Sequence, residues 1–163
     1  VVQSPRSRPE GSVAAATKDG SRRAELRLEA TREGFAAGFE ELRRTLDAFP
    51  VDKRARLSVK LVFEEVVATV VRHGTRLDVR TTFSLEVALV DDAVGPTFLD
   101  DGVPFDPRER PDPVPTVDLE HAEAAGRGLM LIRRVSRSLE YTRTPEGRNR
   151  LTVTVSRDAA AGP

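Results

Sequence analysis

Three stretches of the sequence hold residues whose types and spacing suit chemistry on a phosphorylated nucleotide. The first runs from Glu64 and Glu65 through Thr69 to His73 and Gly74. At helical spacing Lys60 stands one turn before Glu64 and can pair with it on an exposed face, whereas Glu65 has Leu61 before it and Thr69 after it. Glu65 therefore projects from a less polar stripe. A carboxylate there either makes a tertiary salt bridge at the helix margin or serves as a general base beside a bound phosphate.

The second stretch is Phe98-Leu99-Asp100-Asp101-Gly102-Val103-Pro104-Phe105-Asp106-Pro107, an apolar strand that ends in acid and glycine. An Asp at a strand end can accept a hydrogen bond from an exocyclic amine such as adenine's, and Gly102 lets the backbone come close to the base. The same Asp-Asp-Gly also suits a plain turn. The third stretch, Ala125-Gly126-Arg127-Gly128-Leu129, places glycines at the start of a helix. Uncovered N–H groups and the helix dipole make such a start an anion site, although a hinge before a core helix needs the same residues. Neither a G-x-x-x-x-G-K-[ST] loop nor a G-x-G-x-x-G turn is present, which excludes P-loop and dinucleotide-binding readings.

The elements that must position these stretches follow from apolar spacing. Alternation around Leu26 and Leu28 predicts a first strand over 24–30. Thr31 is a candidate N-cap for a helix carrying Phe35, Phe39, Leu42, Leu46 and Phe49, which Pro50 ends. Asp52 opens a second helix through Leu57, Leu61, Val66 and Val70 to His73, with Gly74 as its stop; its many valines also allow a strand. Strands are expected over 79–90 and 93–99 around Asp91 and Asp92, and an irregular lid over 101–125. A helix over 126–137 and a hairpin of 138–144 with 148–157 complete the order. The order β, α, α, β, β, lid, α, β, β implies a two-layer α/β sandwich, a mixed, largely antiparallel sheet with helices on one face.

With 163 residues, 39% of them hydrophobic and 32% charged, the chain fits one domain with a single core. The domain is expected over 22–157, with tails over 1–21 and 158–163 outside the fold. Cysteine is absent, which removes disulfides, thiolate nucleophiles and cysteine-ligated zinc, and two histidines, His73 and His121, make a histidine-based metal site a poor reading. The 26 basic and 26 acidic residues balance, so no global field draws the chain to nucleic acid or an anionic membrane. With no signal peptide and no apolar run of membrane-spanning length, a cytoplasmic protein with protein and small-molecule partners is expected.

In order and spacing the three stretches resemble the Bergerat ATP-binding fold of gyrase-type ATPases and histidine kinases. More closely, they resemble the bacterial anti-sigma-factor serine kinases that work by partner switching. The resemblance covers about 24–157, including the ending Asn149-Arg150-Leu151-Thr152-Val153, and Asp100 to Pro107 is its most specific part. It implies ATP and Mg²⁺ as cofactors, with Asp100 and Gly102 on adenine and Gly126, Arg127, Gly128 and Leu129 at the phosphates. It places the catalytic base at Glu65 and the Mg²⁺ ligand at Thr69, where the family has Asn. The partners it implies are a sigma factor, held away from RNA polymerase, and a STAS-type antagonist that is phosphorylated on serine. Members of that family are often homodimers. The alternative is a non-catalytic sigma-binding module that keeps nucleotide as a structural ligand or not at all. A histidine-kinase fragment is a weaker reading, since the chain lacks room for a dimerisation helix bearing a phosphorylatable His.

Overall fold

A computed structural model of the chain describes residues 20–70, 82–110 and 124–158. His73, Gly74, His121, most of the expected lid and nearly all of both tails lie outside the described residues. The elements are β1 (Arg22–Glu29), α1 (Arg32–Ala48), α2 (Lys53–Thr69), β2 (Thr82–Val90), β3 (Ala93–Asp100), a 3-10 turn (Pro107–Glu109), α3 (Ala124–Val135), β4 (Ser138–Arg143) and β5 (Asn149–Ser156). Their order is the one that the apolar spacing predicts.

Both long helices begin on capping side chains. Thr31 accepts from the Gly34 N–H and Asp52 from the Ala55 N–H, so each satisfies one of the donors left open at a helix start. Phe49 leaves α1 in an extended conformation just before Pro50. The valine-rich segment is helical, and burial explains why: Ala55, Val59, Val62, Phe63 and Val66 form one buried face of α2. That face is not the stripe expected through Leu57, which lies 52% exposed. Positions 55, 59, 62, 66 and 70 keep helical spacing toward the sheet, and Leu57 falls on the far side of that arc.

The sheet runs β1-β2-β3-β5-β4, and every pairing is antiparallel. Strand residues alternate between buried and more exposed, so one face is covered by the helices and the other faces solvent. Pro96 sits in β3 opposite Val87, and the β3–β5 ladder skips Gly95 and Pro96, as a residue without an N–H requires. Four phenylalanines bind the layers: Phe35 meets Phe83 edge-on at 5.5 Å, Phe83 meets Phe98 at 6.0 Å, and Phe63 of α2 meets Phe98 at 6.4 Å. Asp52 N–H donates to the Arg157 carbonyl and Arg157 N–H to that of Asp92, which ties the α1–α2 and β2–β3 connections to the end of β5.

Candidate functional site

A pocket opens between α2, α3 and the β3–β5–β4 end of the sheet, enclosing about 580 Å³ of empty space with its mouth included. Its walls are apolar: Val66, Val70, Phe98, Val103, Phe105, Leu129, Ile132 and Leu151, with Asp100, Asn149, Tyr141 and Thr69 as the polar members. A flat, mostly apolar heterocycle with one exposed amine suits such walls.

Asp100 closes β3 and is 93% buried, since only 7% of its surface remains exposed. Its Oδ1 accepts from the Gly102 N–H at 2.9 Å and from Asn149 Nδ2 at 2.8 Å. Among the described residues no donor reaches Oδ2, so one carboxylate oxygen is left to a ligand in the pocket. Burial pushes the Asp100 carboxyl above the ordinary range, and the hydrogen bonds from Asn149 and Gly102 hold it back. Gly102 thus turns its N–H inward to fix Asp100.

Asn149 is the residue that sequence reasoning left out of the site. Strand register sets it opposite Asp100 on β3 and opposite Arg143 on β4. Besides Asp100, its Nδ2 donates to the Val103 carbonyl at 3.0 Å, while its Oδ1 accepts from the Tyr141 hydroxyl at 2.7 Å and Arg143 Nη1 at 2.6 Å. Arg143 Nη1 also donates to the Gly102 carbonyl at 3.0 Å. Tyr141, Arg143, Asn149 and Asp100 therefore form one connected network across three strands. The hairpin around Gly147, whose φ is +76°, was the available signal for the Arg143–Asn149 pairing. Nothing local pointed from Asn149 to Asp100.

The segment after β3 is pinned over the pocket. Asp106 caps the 3-10 turn and grips Arg108 through both carboxylate oxygens, and this guanidinium lowers its pKa. Arg133 of α3 donates to the carbonyls of Pro107 and Arg110, at 3.0 and 2.6 Å. Arg110 in turn lies 5.4 Å above the Phe105 ring. These contacts keep Phe105 and Pro107 on the pocket wall.

Glu65 and Thr69 lie on successive turns of α2. Glu64 is exposed and Glu65 is half-buried, the difference expected from their neighbours. A Cβ built on Gly128 would run into Glu65 Oε2 and lie 2.9 Å from its Cδ, so the carboxylate rests against the bare backbone of α3. Thr69 lines the pocket, and its hydroxyl donates to the Glu65 carbonyl at 2.9 Å, leaving its lone pairs for a ligand. Gly126 and Arg127 fall in the first turn of α3, Gly128 is buried and Leu129 is on the pocket wall. The fold thus brings Glu65, Thr69, Asp100, Gly128 and Leu129 around one region, with the start of α3 beside Glu65.

The donor set suits a nucleotide better than a protein-held metal cluster. Among the described residues no three acidic or imidazole groups converge. A hard cation at Thr69 would take one neutral oxygen from the protein and most of its shell from phosphate and water, a common arrangement for Mg²⁺. No described helix is long and apolar enough to cross a membrane.

The sequence matches the family model of the histidine kinase-like ATPase domain over residues 15–155. The fold is similar to the solved structure of the RsbU and RsbW domains of Rv1364c from Mycobacterium tuberculosis. The TM-score is 0.56 at 19% identity, over 81% of this chain and 32% of that one. The chain thus spans about a third of the length of that solved relative, and the likeness is one of fold. No curated protein matches the sequence.

Proposed function

The chain belongs to the family of histidine kinase-like ATPase domains, and its described residues form a five-stranded antiparallel sheet with three α-helices in the Bergerat ATP-binding arrangement; from that premise we propose that it is an anti-sigma factor that binds ATP at the Asp100 pocket and phosphorylates a serine of a STAS-type antagonist. The observation that carries this reading is Asp100: a buried carboxylate with one oxygen fixed by two donors and the other left to an apolar pocket. Only a ligand with a hydrogen-bond donor on an otherwise apolar face satisfies both features, and adenine's amine is such a donor.

In this reading Asp100 accepts from the adenine amine while Val103, Phe105, Leu129 and Leu151 enclose the base. Gly126, Arg127, Gly128 and Leu129 receive the phosphates at the first turn of α3, where unpaired N–H groups and the helix dipole favour negative charge. Glu65 takes the proton of the antagonist's serine hydroxyl as that oxygen attacks the γ-phosphorus and ADP leaves. Thr69 would hold Mg²⁺, which would supply charge neutralisation at the phosphates. The phosphate added to the antagonist brings negative charge to its docking surface and releases it, freeing this domain to hold a sigma factor away from RNA polymerase.

Calorimetric titration of ATP into the native chain and an Asp100→Ala variant tests the binding step. At least a tenfold loss of affinity is expected, about 1.4 kcal/mol, and equal affinities would overturn it. Transfer of labelled γ-phosphate to an antagonist tests the chemistry. A second reading, a sigma-binding module that uses nucleotide only structurally, draws on Thr69, a shorter side chain than the Asn the resemblance implies there, and on the Glu65 carboxylate packed against Gly128. ATP binding without transfer, by a chain that still holds its sigma factor, would establish that reading instead.

A further inference from the structure

Residues 101–106 belong to no strand or helix, yet Val103 and Phe105 among them, with Pro107 just beyond, form one wall of the pocket. Such a wall needs its backbone held from elsewhere. Side chains hold it by four carbonyls. Arg143 of β4 donates to that of Gly102 at 3.0 Å and Asn149 of β5 to that of Val103 at 3.0 Å, so the near end hangs from the sheet. The far end hangs from α3, where one nitrogen of Arg133, Nη2, donates to the carbonyls of Pro107 at 3.0 Å and Arg110 at 2.6 Å.

Arg133 reaches Phe105 by two routes. Its bond to Pro107 fixes the backbone two residues on, and its bond to Arg110 fixes the residue whose guanidinium lies 5.4 Å above the Phe105 ring. A hydrogen bond from a charged donor is about twice as strong as one between neutral groups, so these two hold firmly. The same helix supplies Leu129 and Ile132 to the pocket, and Ile132 is buried. Arg133 thereby joins the wall made by the segment to the wall made by α3. The helix dipole alone does not account for it: Arg134 stands beside it in the same last turn, with the same dipole, and is exposed.

We propose that Arg133 is a positioning residue of the pocket, which holds Phe105 and Pro107 close enough to α3 to grip the ring of a bound base. This role rests on the nucleotide reading above and adds a second determinant to it. Asp100 is held from the sheet side by Asn149, so it meets the amine whether or not Arg133 is present. Arg133 governs the packing on the ring instead. Phosphate takes no part in that packing, so a nucleoside without phosphate depends on Arg133 as much as ATP does.

Arg133→Met keeps the apolar stem and removes the donors, and Arg134→Met is its control. Titrations of ATP and of adenosine should show both ligands bound about tenfold more weakly by Arg133→Met and at native strength by Arg134→Met. Native-state hydrogen exchange gives a readout that needs no ligand: the Arg108 and Glu109 amides, both bonded to Asp106, should exchange faster in Arg133→Met while those of β3 and β5 stay at the native rate. That pattern separates a loosened wall from a weakened fold. Weaker ATP with unchanged adenosine would make Arg133 a charge acting on phosphate, and native affinity for both ligands or unchanged exchange would leave the wall independent of it; each of these overturns the proposal. A native chain that binds neither ligand overturns the nucleotide reading itself, and this role with it.

Discussion

Asn149 spends its whole amide on holding Asp100 and the turn beyond it: Nδ2 donates to Asp100 Oδ1 and the Val103 carbonyl, and Oδ1 accepts from Tyr141 and Arg143. An amide with all its donors and acceptors engaged has one orientation. The carboxylate it holds therefore presents a fixed oxygen to the pocket, without the reorganisation that a mobile acceptor would need on binding.

Removing that support should be expensive. Asn149→Ala takes one partner each from the Val103 carbonyl, the Tyr141 hydroxyl and Asp100 Oδ1 in a largely buried setting, at a cost of about 1–3 kcal/mol. Urea denaturation should show the loss. Titration of ATP into the surviving folded fraction should show weaker binding as well, because Asp100 Oδ1 is then held by the Gly102 N–H alone.

Acidity offers a separate test. The folded-state pKa of Asp100 is raised, chiefly by burial, so the protonated form is favoured by folding. The stabilising contribution is therefore present in full below the unfolded value, about 3.9, and is lost as pH rises through the raised folded value. Measured against an Asp100→Asn variant, the native chain should lose stability over that window and then run parallel to the variant. A native chain that instead gains stability relative to the variant as pH rises would contradict the burial argument.

Gly128→Ala separates packing from chemistry. The new Cβ meets the far end of the Glu65 side chain, which can swing aside, and alanine gains about 1 kcal/mol of helix propensity over glycine. Thermal melting should therefore move little. If Glu65 is the base proposed above, phosphoryl transfer should fall at least about tenfold, since the displaced carboxylate would no longer meet the serine hydroxyl. Unchanged transfer would remove Glu65 from the role of base.

Gly38→Ala should behave in the opposite way. A Cβ at that position would lie 2.7 Å from Leu28 Cδ1 and 3.1 Å from its Cγ, where α1 crosses β1 in the buried core. Overpacking of this kind costs about 1–3 kcal/mol, which denaturant unfolding would report, while ATP affinity stays at the native value.

Thr69→Asn lengthens the reach of the proposed cation ligand by one carbonyl. Faster Mg²⁺-dependent transfer is expected from the variant. If neither the native chain nor the variant transfers phosphate, although both bind ATP, the non-catalytic reading stands.

The amino-acid sequence by itself determined the elements and their order, because each is a local matter of period, cap and turn. Thr31 and Asp52 start the two long helices, Pro50 ends the first, and Gly147 closes the last hairpin. It also marked Asp100, since an acid at the end of an apolar strand is visible without knowing what lies beside it. Even the contrast between Glu64 and Glu65 could be read from their neighbours one turn away. Tertiary structure decided which face of α2 is buried, and so left Leu57 outside, because the direction of the sheet relative to a helix is not written within the helix. It also decided that Asn149 holds Asp100, and that Glu65 rests on Gly128. Those partners stand 49 and 63 residues apart, and only strand register and helix packing across the whole core bring such groups within hydrogen-bond or van der Waals reach.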